Sequence, residues 1–347
     1  MKKNEIIDIL KTIQYPGFSR DIVSFGMIKN ITFEDNIINI ALSINTDNQE
    51  NLKKVENEII KKFHENKVSI SFEKPSQQTN ANQEVVKKNL PQIKYVIAIA
   101  SGKGGVGKST IALNLATTLS KTHKVGLLDL DIYGPSLPKL INENSQPQMT
   151  DERKLVPIKK FNMELMSFGF INSQNSPTIW RGPMVARMTQ QFFDDVEWGE
   201  LDYLILDLPP GTGDIQLTLV QKLALTGAII ITTPQELALL DVRKGADMFK
   251  KVNTPVLGVI ENMTHFLCPH CHEETQIFPG KGGEEESTRL NVPLLGKIFL
   301  NPDMAMSAEN GIPYVLSHEK SIITNEYDKI SQQINSILTN SFSYQTK

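Results

Sequence analysis

Cysteine is nearly absent from this chain of 347 residues: Cys268 and Cys271 are the only two, spaced C-x-x-C. A single such pair in a chain of this length excludes a disulfide framework. An excess of one charge is lacking too. The 36 Lys and Arg stand against 39 Asp and Glu, a formal net charge of −3, so no global basic field draws the chain to nucleic acid or to an anionic membrane. Long apolar runs are missing, and no segment approaches the roughly 18–20 residues of a membrane-crossing helix. Met1-Lys2-Lys3 could open a secretory leader, but Asn4, Glu5 and Asp8 interrupt any apolar stretch behind it. The expectation is a cytoplasmic protein with neither a nucleic-acid nor a membrane partner. What is present is ordinary globular composition, 40% hydrophobic and 22% charged, in a chain long enough for more than one domain.

Residues 1–73 read as a small α/β unit. Ile6, Ile7, Ile9, Leu10 and Ile13 give one apolar helix face, and strand-like runs follow at 28–33 and 37–44 with Asp35-Asn36 as the turn between them. A helix over 51–66 carries Leu52, Val55, Ile59, Ile60 and Phe63 at helical spacing, and 68–72 alternates as a last strand. Residues 74–93 have no apolar periodicity and read as a linker closed by Pro91. From residue 94 to 347, apolar runs alternate with helical segments, with strands expected at 95–100, 124–128, 163–168, 202–206, 227–232, 256–260 and 296–299. Near-continuous apolar runs suit strands buried on both faces, so the larger domain is expected to be a doubly wound, mostly parallel α/β sheet with its ligands at the strands' C-terminal ends. A tail helix from Glu319 places Ile322, Ile323, Tyr327, Ile330, Ile334 and Leu338 on one face, to be buried against the core.

At the end of the first of these strands stands Ser101-Gly102-Lys103-Gly104-Gly105-Val106-Gly107-Lys108-Ser109-Thr110, followed by a helical pattern over 108–121. Strand, glycine-rich loop and helix together predict a P-loop that binds a nucleoside triphosphate. The glycines let backbone N–H groups converge on phosphate oxygens, and the helix N-terminus adds its partial positive charge. Lys108 is expected to reach the β- and γ-phosphates, Ser109 to place its hydroxyl on Mg²⁺, and Thr110 to reach the α-phosphate. The ordinary loop pattern does not ask for Lys103. A second lysine at the start of the loop is most useful if it crosses a dimer interface to another nucleotide, and this deviant Walker A loop resembles the MinD/ParA/nitrogenase iron protein class, in which such a lysine acts in trans.

Two further strands are expected to end in acids. Asp129 and Asp131 close the strand at 124–128; the resemblance to that ATPase class implies that Asp131 orients the attacking water, and Asp129 is expected to support the Mg²⁺ shell. Asp207 stands where a Walker-B carboxylate holds a Mg²⁺-bound water, and Pro209-Pro210-Gly211-Thr212-Gly213 behind it suits a switch that senses the γ-phosphate. Asn262, expected at the end of the strand at 256–260, can both donate to and accept from a base edge, and Thr233-Pro234-Gln235 is expected to line the same pocket.

The cysteine pair, in His265-Phe-Leu-Cys268-Pro-His270-Cys271-His272, admits three readings. A structural zinc site needs four ligands, which the three histidines would have to complete. A redox dithiol would start a helix beside a βαβ unit. Two copies of the chain would supply four thiolates, enough for a bridging [4Fe–4S] cluster, and Lys103 independently asks for a dimer.

Seven motifs occur in order: Gly102-Lys103-Gly104-Gly105-Val106-Gly107-Lys108-Ser109, Asp129-x-Asp131-x-x-Gly134-Pro135-Ser136, Trp180-Arg181-Gly182-Pro183, Asp207-Leu-Pro-Pro-Gly-Thr-Gly-Asp214, Thr233-Pro234-Gln235, Glu261-Asn262-Met263 and Cys268-Pro-His-Cys271. Together they resemble the Mrp/ApbC-type iron–sulfur cluster carriers from residue 94 to about 340, and residues 20–28 resemble the small iron–sulfur assembly domain often fused ahead of them. The resemblance implies an ATP hydrolase using ATP and Mg²⁺. It also implies a [4Fe–4S] cluster held between the subunits of a homodimer by Cys268 and Cys271, with apo iron–sulfur proteins and cluster-assembly scaffolds as partners. The small domain departs from its pattern: where a Thr-Pro-x-Cys-Pro segment is usual, this chain reads Asn45-Thr46-Asp47-Asn48-Gln49-Glu50. Docking or regulation is therefore expected of that domain, and no cluster ligand. A MinD/ParA-like ATPase switch with a structural zinc site and an electron-donating reductase are the competing readings.

Overall fold

Runs such as Ile97-Ala98-Ile99-Ala100 and Ile229-Ile230-Ile231 have no polar face to show to water, and in the computed structural model each is a strand covered on both sides. The structure describes residues 3–13, 21–23, 27–34, 37–43, 49–63, 67–73, 87, 89–171, 192–211 and 213–343. Asp35-Asn36, residues 45–48, most of the expected linker, Trp180-Arg181-Gly182-Pro183 and Thr212 lie outside the described residues. The chain forms two compact units, Met1–Glu84 and Val85–Lys347.

In the first unit, β1 (Ile28–Glu34) pairs antiparallel with β2 (Ile37–Ser43), and β2 pairs parallel with β3 (Lys67–Glu73). Helices Lys3–Leu10 and Gln49–Lys62 supply Ile6, Leu10, Val55 and Ile59 to a core shared with Ile31, Ile38, Ile40 and Leu42.

In the second unit a nine-stranded sheet is built around β4 (Ile93–Ser101). One flank runs through β8 (Leu201–Asp207), β5 (Val125–Asp129) and β7 (Met163–Ser167), all parallel. The other runs through β9 (Gly227–Thr232), β10 (Val256–Leu267) and β12 (Leu294–Leu300), also parallel. Two short antiparallel strands, β6 (Ile158–Lys160) on β7 and β11 (Glu274–Thr275) on β10, complete it. The chain leaves β4 toward β5 and later returns to β9 on the other side, so the order reverses at the C-terminal end of β4. That reversal opens the crevice in which doubly wound folds bind ligands.

The observed strands agree with the expected ones to within two residues at each end, β5 beginning one residue later and β7 ending one earlier, with one exception. β10 continues to Leu267, so Asn262 lies within a strand and not at its end. The tail helix spans Ile322–Ser343 and buries Ile323, Tyr327, Ile330, Ile334 and Leu338 as expected. Ile322, placed on the same face by periodicity, is 67% exposed because it sits at the helix start, ahead of the contact. No helix among the described residues is long and apolar enough to cross a membrane.

Candidate functional site

The phosphate loop leaves β4 at Ser101 and enters helix Lys108–Leu119 through two left-handed glycines, Gly105 (φ 82°) and Gly107 (φ 81°). A side chain at Gly107 would be strained, and its Cβ would lie 2.3 Å from Asn262 Nδ2. Gly107 caps the helix without a side-chain hydrogen bond, so the helix N-terminus keeps its N–H groups for an anion. Lys103, Gly104 and Gly105 are exposed on the rim of the loop; Lys108 is buried and ion-paired with Asp207 Oδ1. Ser109 and Thr110 occupy the first turn, half-buried. Asn114, one turn on and buried, ties the helix down: its Nδ2 donates to Thr110 O and its Oδ1 accepts from Val315 N.

Asp129 and Asp207 are register partners on adjacent strands, each almost fully buried. Asp129 does not stand free toward a metal. Its Oδ1 accepts from Asp131 N (3.0 Å), and its Oδ2 accepts from Ser136 N (3.0 Å), Leu137 N (3.1 Å) and Ser167 Oγ (3.1 Å). The carboxylate is therefore the hub that folds the 130–137 loop carrying Asp131, next to its register partner Asp207. Burial, then the charge of Asp207, push the Asp129 carboxyl up to about 7, against the backbone N–H groups and Lys108. Asp131 is half-buried in a tight turn, with Oδ1 accepting from Tyr133 N and Gly134 N.

The Pro209-Pro210-Gly211 segment is pinned to the same place. Leu208 N donates to Ile99 O, and Gly211 N, at φ 92°, donates to Ser101 O at 3.0 Å. A Cβ on Gly104 would lie 3.9 Å from Pro210. The segment, the Asp131 turn and helix Asp214–Lys222 enclose a cleft of about 420 Å³ lined by Asp131, Tyr133, Pro209, Pro210 and Gln216.

Asn262 departs most from its expected place. Its Nδ2 donates to Val106 O at 2.9 Å, so the amide braces the phosphate loop from a neighbouring strand with one of its two N–H groups. Thr233 and Pro234 are buried, and the Pro234 carbonyl abuts Gly280.

Five residues beyond Asn262, β10 ends and the cysteine hairpin begins. Cys268 N donates to Glu273 O, and His272 N, from a left-handed His272 (φ 59°), donates to Cys268 O. The backbone N–H groups of Cys271 and His270, then the Cys271 side chain, hold the Cys268 thiol below its ordinary value. N–H groups aimed at a cysteine sulfur in a hairpin turn favour the thiolate, the form that ligates metal. Cys268 is half-buried and Cys271 exposed. The pair starts no helix. His265 is engaged elsewhere, hydrogen-bonded through Nδ1 to Thr264 Oγ1 and stacked on Phe299. Among the described residues, no three His, Cys, Asp or Glu side chains are grouped to hold a metal ion.

The sequence reading missed Gln216, buried in the cleft, and Glu261, buried with Oε1 accepting from Gly283 N. Both sit in quoted motifs or beside them, but nothing in a sequence marks them as enclosed.

Residues 92–335 match the family described as ParA: NUBPL iron-transfer P-loop NTPase. An iron-sulfur cluster carrier protein of Helicobacter pylori is 38% identical over 97% of this chain and 93% of its own length. Among solved structures, the nucleotide-binding protein of Archaeoglobus fulgidus in complex with ADP is similar at a TM-score of 0.57 and 38% identity, covering 63% of this chain and 87% of that one. The cell division ATPase MinD of Pyrococcus furiosus, at 20% identity and a TM-score of 0.54 over 70% of this chain and 99% of its own, shares the fold.

Proposed function

This chain belongs to the NUBPL-type iron-transfer P-loop NTPases of the ParA family, and from that premise we propose that it is an ATP-hydrolysing iron–sulfur cluster carrier. Two copies hold a [4Fe–4S] cluster between Cys268 and Cys271 of each, and the cluster is passed to apo iron–sulfur proteins. The observation that carries the reading is the thiol pair, set on a hairpin turn that favours thiolate and joined directly to the strand that braces the phosphate loop. One chain offers two sulfurs there, and a four-thiolate cluster is completed by a second copy. Held by two ligands per subunit at an exposed turn, the cargo is accessible to an acceptor.

At the nucleotide end, the uncapped helix N-terminus and Lys108 receive the phosphates, with Thr110 beside the α-phosphate. Lys108 exchanges its ion pair with Asp207 for the phosphates, and Lys103, exposed on the rim, serves the nucleotide of the other copy. A divalent cation suits the donor set. Asp207 is a buried carboxylate left without its lysine once phosphate binds, and the Ser109 hydroxyl stands in the first turn. Mg²⁺ there would supply charge neutralisation of the phosphate oxygens. Asp131 orients a water whose oxygen adds to the γ-phosphorus. The bond to the β–γ bridging oxygen breaks with its electron pair leaving on ADP, and the water's protons end on phosphate and solvent. Met1–Glu84, without a cysteine of its own, takes part in docking or regulation.

The test is transfer. Anaerobically reconstituted protein is incubated with the apo form of a [4Fe–4S] enzyme, and regained activity is followed beside Cys271→Ala. Activation by the wild type and none by the variant is expected. A protein that holds zinc, activates nothing and pellets with liposomes when ATP is added would instead be a positioning switch.

A further inference from the structure

Gln216 lies in the first turn of helix Asp214–Lys222, 2% exposed, and neither Nε2 nor Oε1 has a hydrogen-bond partner among the described residues. Leaving a buried amide unsatisfied costs about 1–3 kcal/mol per group, and a leucine or methionine would fill the space without that penalty. An amide kept under these conditions points to a polar partner from outside the protein.

The surroundings narrow what that partner is. Gln216 lines the cleft together with Asp131, Tyr133, Gly134, Pro209, Pro210 and Gly213, with both amide atoms closed off from solvent as the structure stands. Two of those residues are prolines with no N–H to offer, and the Tyr133 and Gly134 N–H groups already donate to Asp131 Oδ1. The Asp131 carboxylate, the Gln216 amide and the Tyr133 hydroxyl are thus the polar side-chain groups of the lining, and Asp131 and Gln216 are the less exposed of the three. The cleft also adjoins the phosphates' place, since its Pro210 wall lies against Gly104 and its Gly211 is bonded to Ser101.

We propose that Gln216 is a positioning residue for hydrolysis: with the Asp131 carboxylate it holds the water that attacks the γ-phosphorus. On a turn of the Gln216 side chain into the cleft, Oε1 accepts a hydrogen bond from that water and Nε2 comes to donate to the Asp131 carboxylate. The proposal rests on the ATPase reading above. It also accounts for a buried amide whose hydrogen-bonding capacity is used only during turnover.

The experiment compares wild type, Gln216→Met, Asp131→Asn and the double variant by steady-state ATPase kinetics, by affinity for a fluorescent ADP and by thermal melting. Gln216→Met is expected to lower kcat about tenfold or more, the size of a lost water-orienting contact, with KM and ADP affinity within about twofold. Its Tm should equal or exceed the wild type's, because an unpartnered amide has been replaced by an apolar chain of similar length. The double variant should be no slower than Asp131→Asn alone, since both residues act on one water. An unchanged kcat overturns the proposal, and so does a Tm several degrees lower, which would mark a structural role. Gln216→Asn, which keeps the amide but draws it back from the cleft, is read the same way in kcat and ADP affinity if the methionine variant does not fold. If wild type binds ADP yet turns over ATP no faster than Lys108→Ala, the ATPase reading itself fails and the proposal falls with it. A wild type that hydrolyses ATP alongside an equally fast Gln216→Met sinks the proposal alone.

Discussion

The two ends of β10 are built to opposite standards. At Asn262 the strand is buried among bonded polar groups: the amide holds the Val106 carbonyl, Gly107 leaves no room for a Cβ, and neighbouring Glu261 holds Gly283 N. Beyond Met263, which takes a left-handed φ of 57°, the pairing with β12 loses its regular register between Asn262 and Phe266. The strand then ends in a hairpin with one half-buried and one exposed cysteine, closed by the backbone bonds between Cys268 and residues 272 and 273. The difference suits the two tasks proposed above. Phosphoryl transfer gains from donors fixed before the reaction, because their reorganisation would otherwise be added to the barrier. Handing over a cluster requires that its ligands be reached and released.

The comparison is broken most severely at Lys108. Lys108→Ala is expected to lower ATP hydrolysis at least about 100-fold, the scale of a lost charge-stabilising donor, while a reconstituted cluster still forms on the hairpin. Steady-state phosphate release and the visible absorbance of the cluster check the two halves separately. Absorbance lost along with hydrolysis would mean that the two ends are not independent. Removing that lysine also leaves Asp207 buried without its partner, so the nucleotide-free variant should melt below the wild type.

A smaller effect is expected at the joint. Asn262→Ala deletes the donor to Val106 O and leaves a buried carbonyl short of a partner, a loss of about 1–3 kcal/mol. Chemical denaturation should show a lower midpoint with an unchanged m-value, and ADP should bind more weakly. Unchanged stability with weakened discrimination between ATP and GTP would favour the base-edge role over the bracing one.

Much of this was legible before the fold was known, and the failures have physical causes. Strands such as β9 announce themselves because a run of Ile and Ala buried on both faces has no alternative. The phosphate loop is legible because only glycine tolerates φ near 80° at Gly105 and Gly107. β6 and β11, at three and two residues, are too short for any periodicity and exist through pairing with a longer neighbour. β10 was cut short because Glu261, Asn262, Thr264 and His265 look like the end of a strand, whereas each finds a partner within the fold. Asp129 and Asp131 are indistinguishable as letters. The turn sorts them, drawing four hydrogen bonds onto one and leaving the other at the cleft. Gln216 is invisible for the same reason, since burial without a partner is a property of three dimensions.

The most direct test of the central claim is the iron, sulfide and zinc content of anaerobically purified and reconstituted protein, resolved by size, beside Cys268→Ala. The account predicts about four iron and four sulfide per dimer, lost with Cys268. Zinc near one per chain with no iron would contradict it.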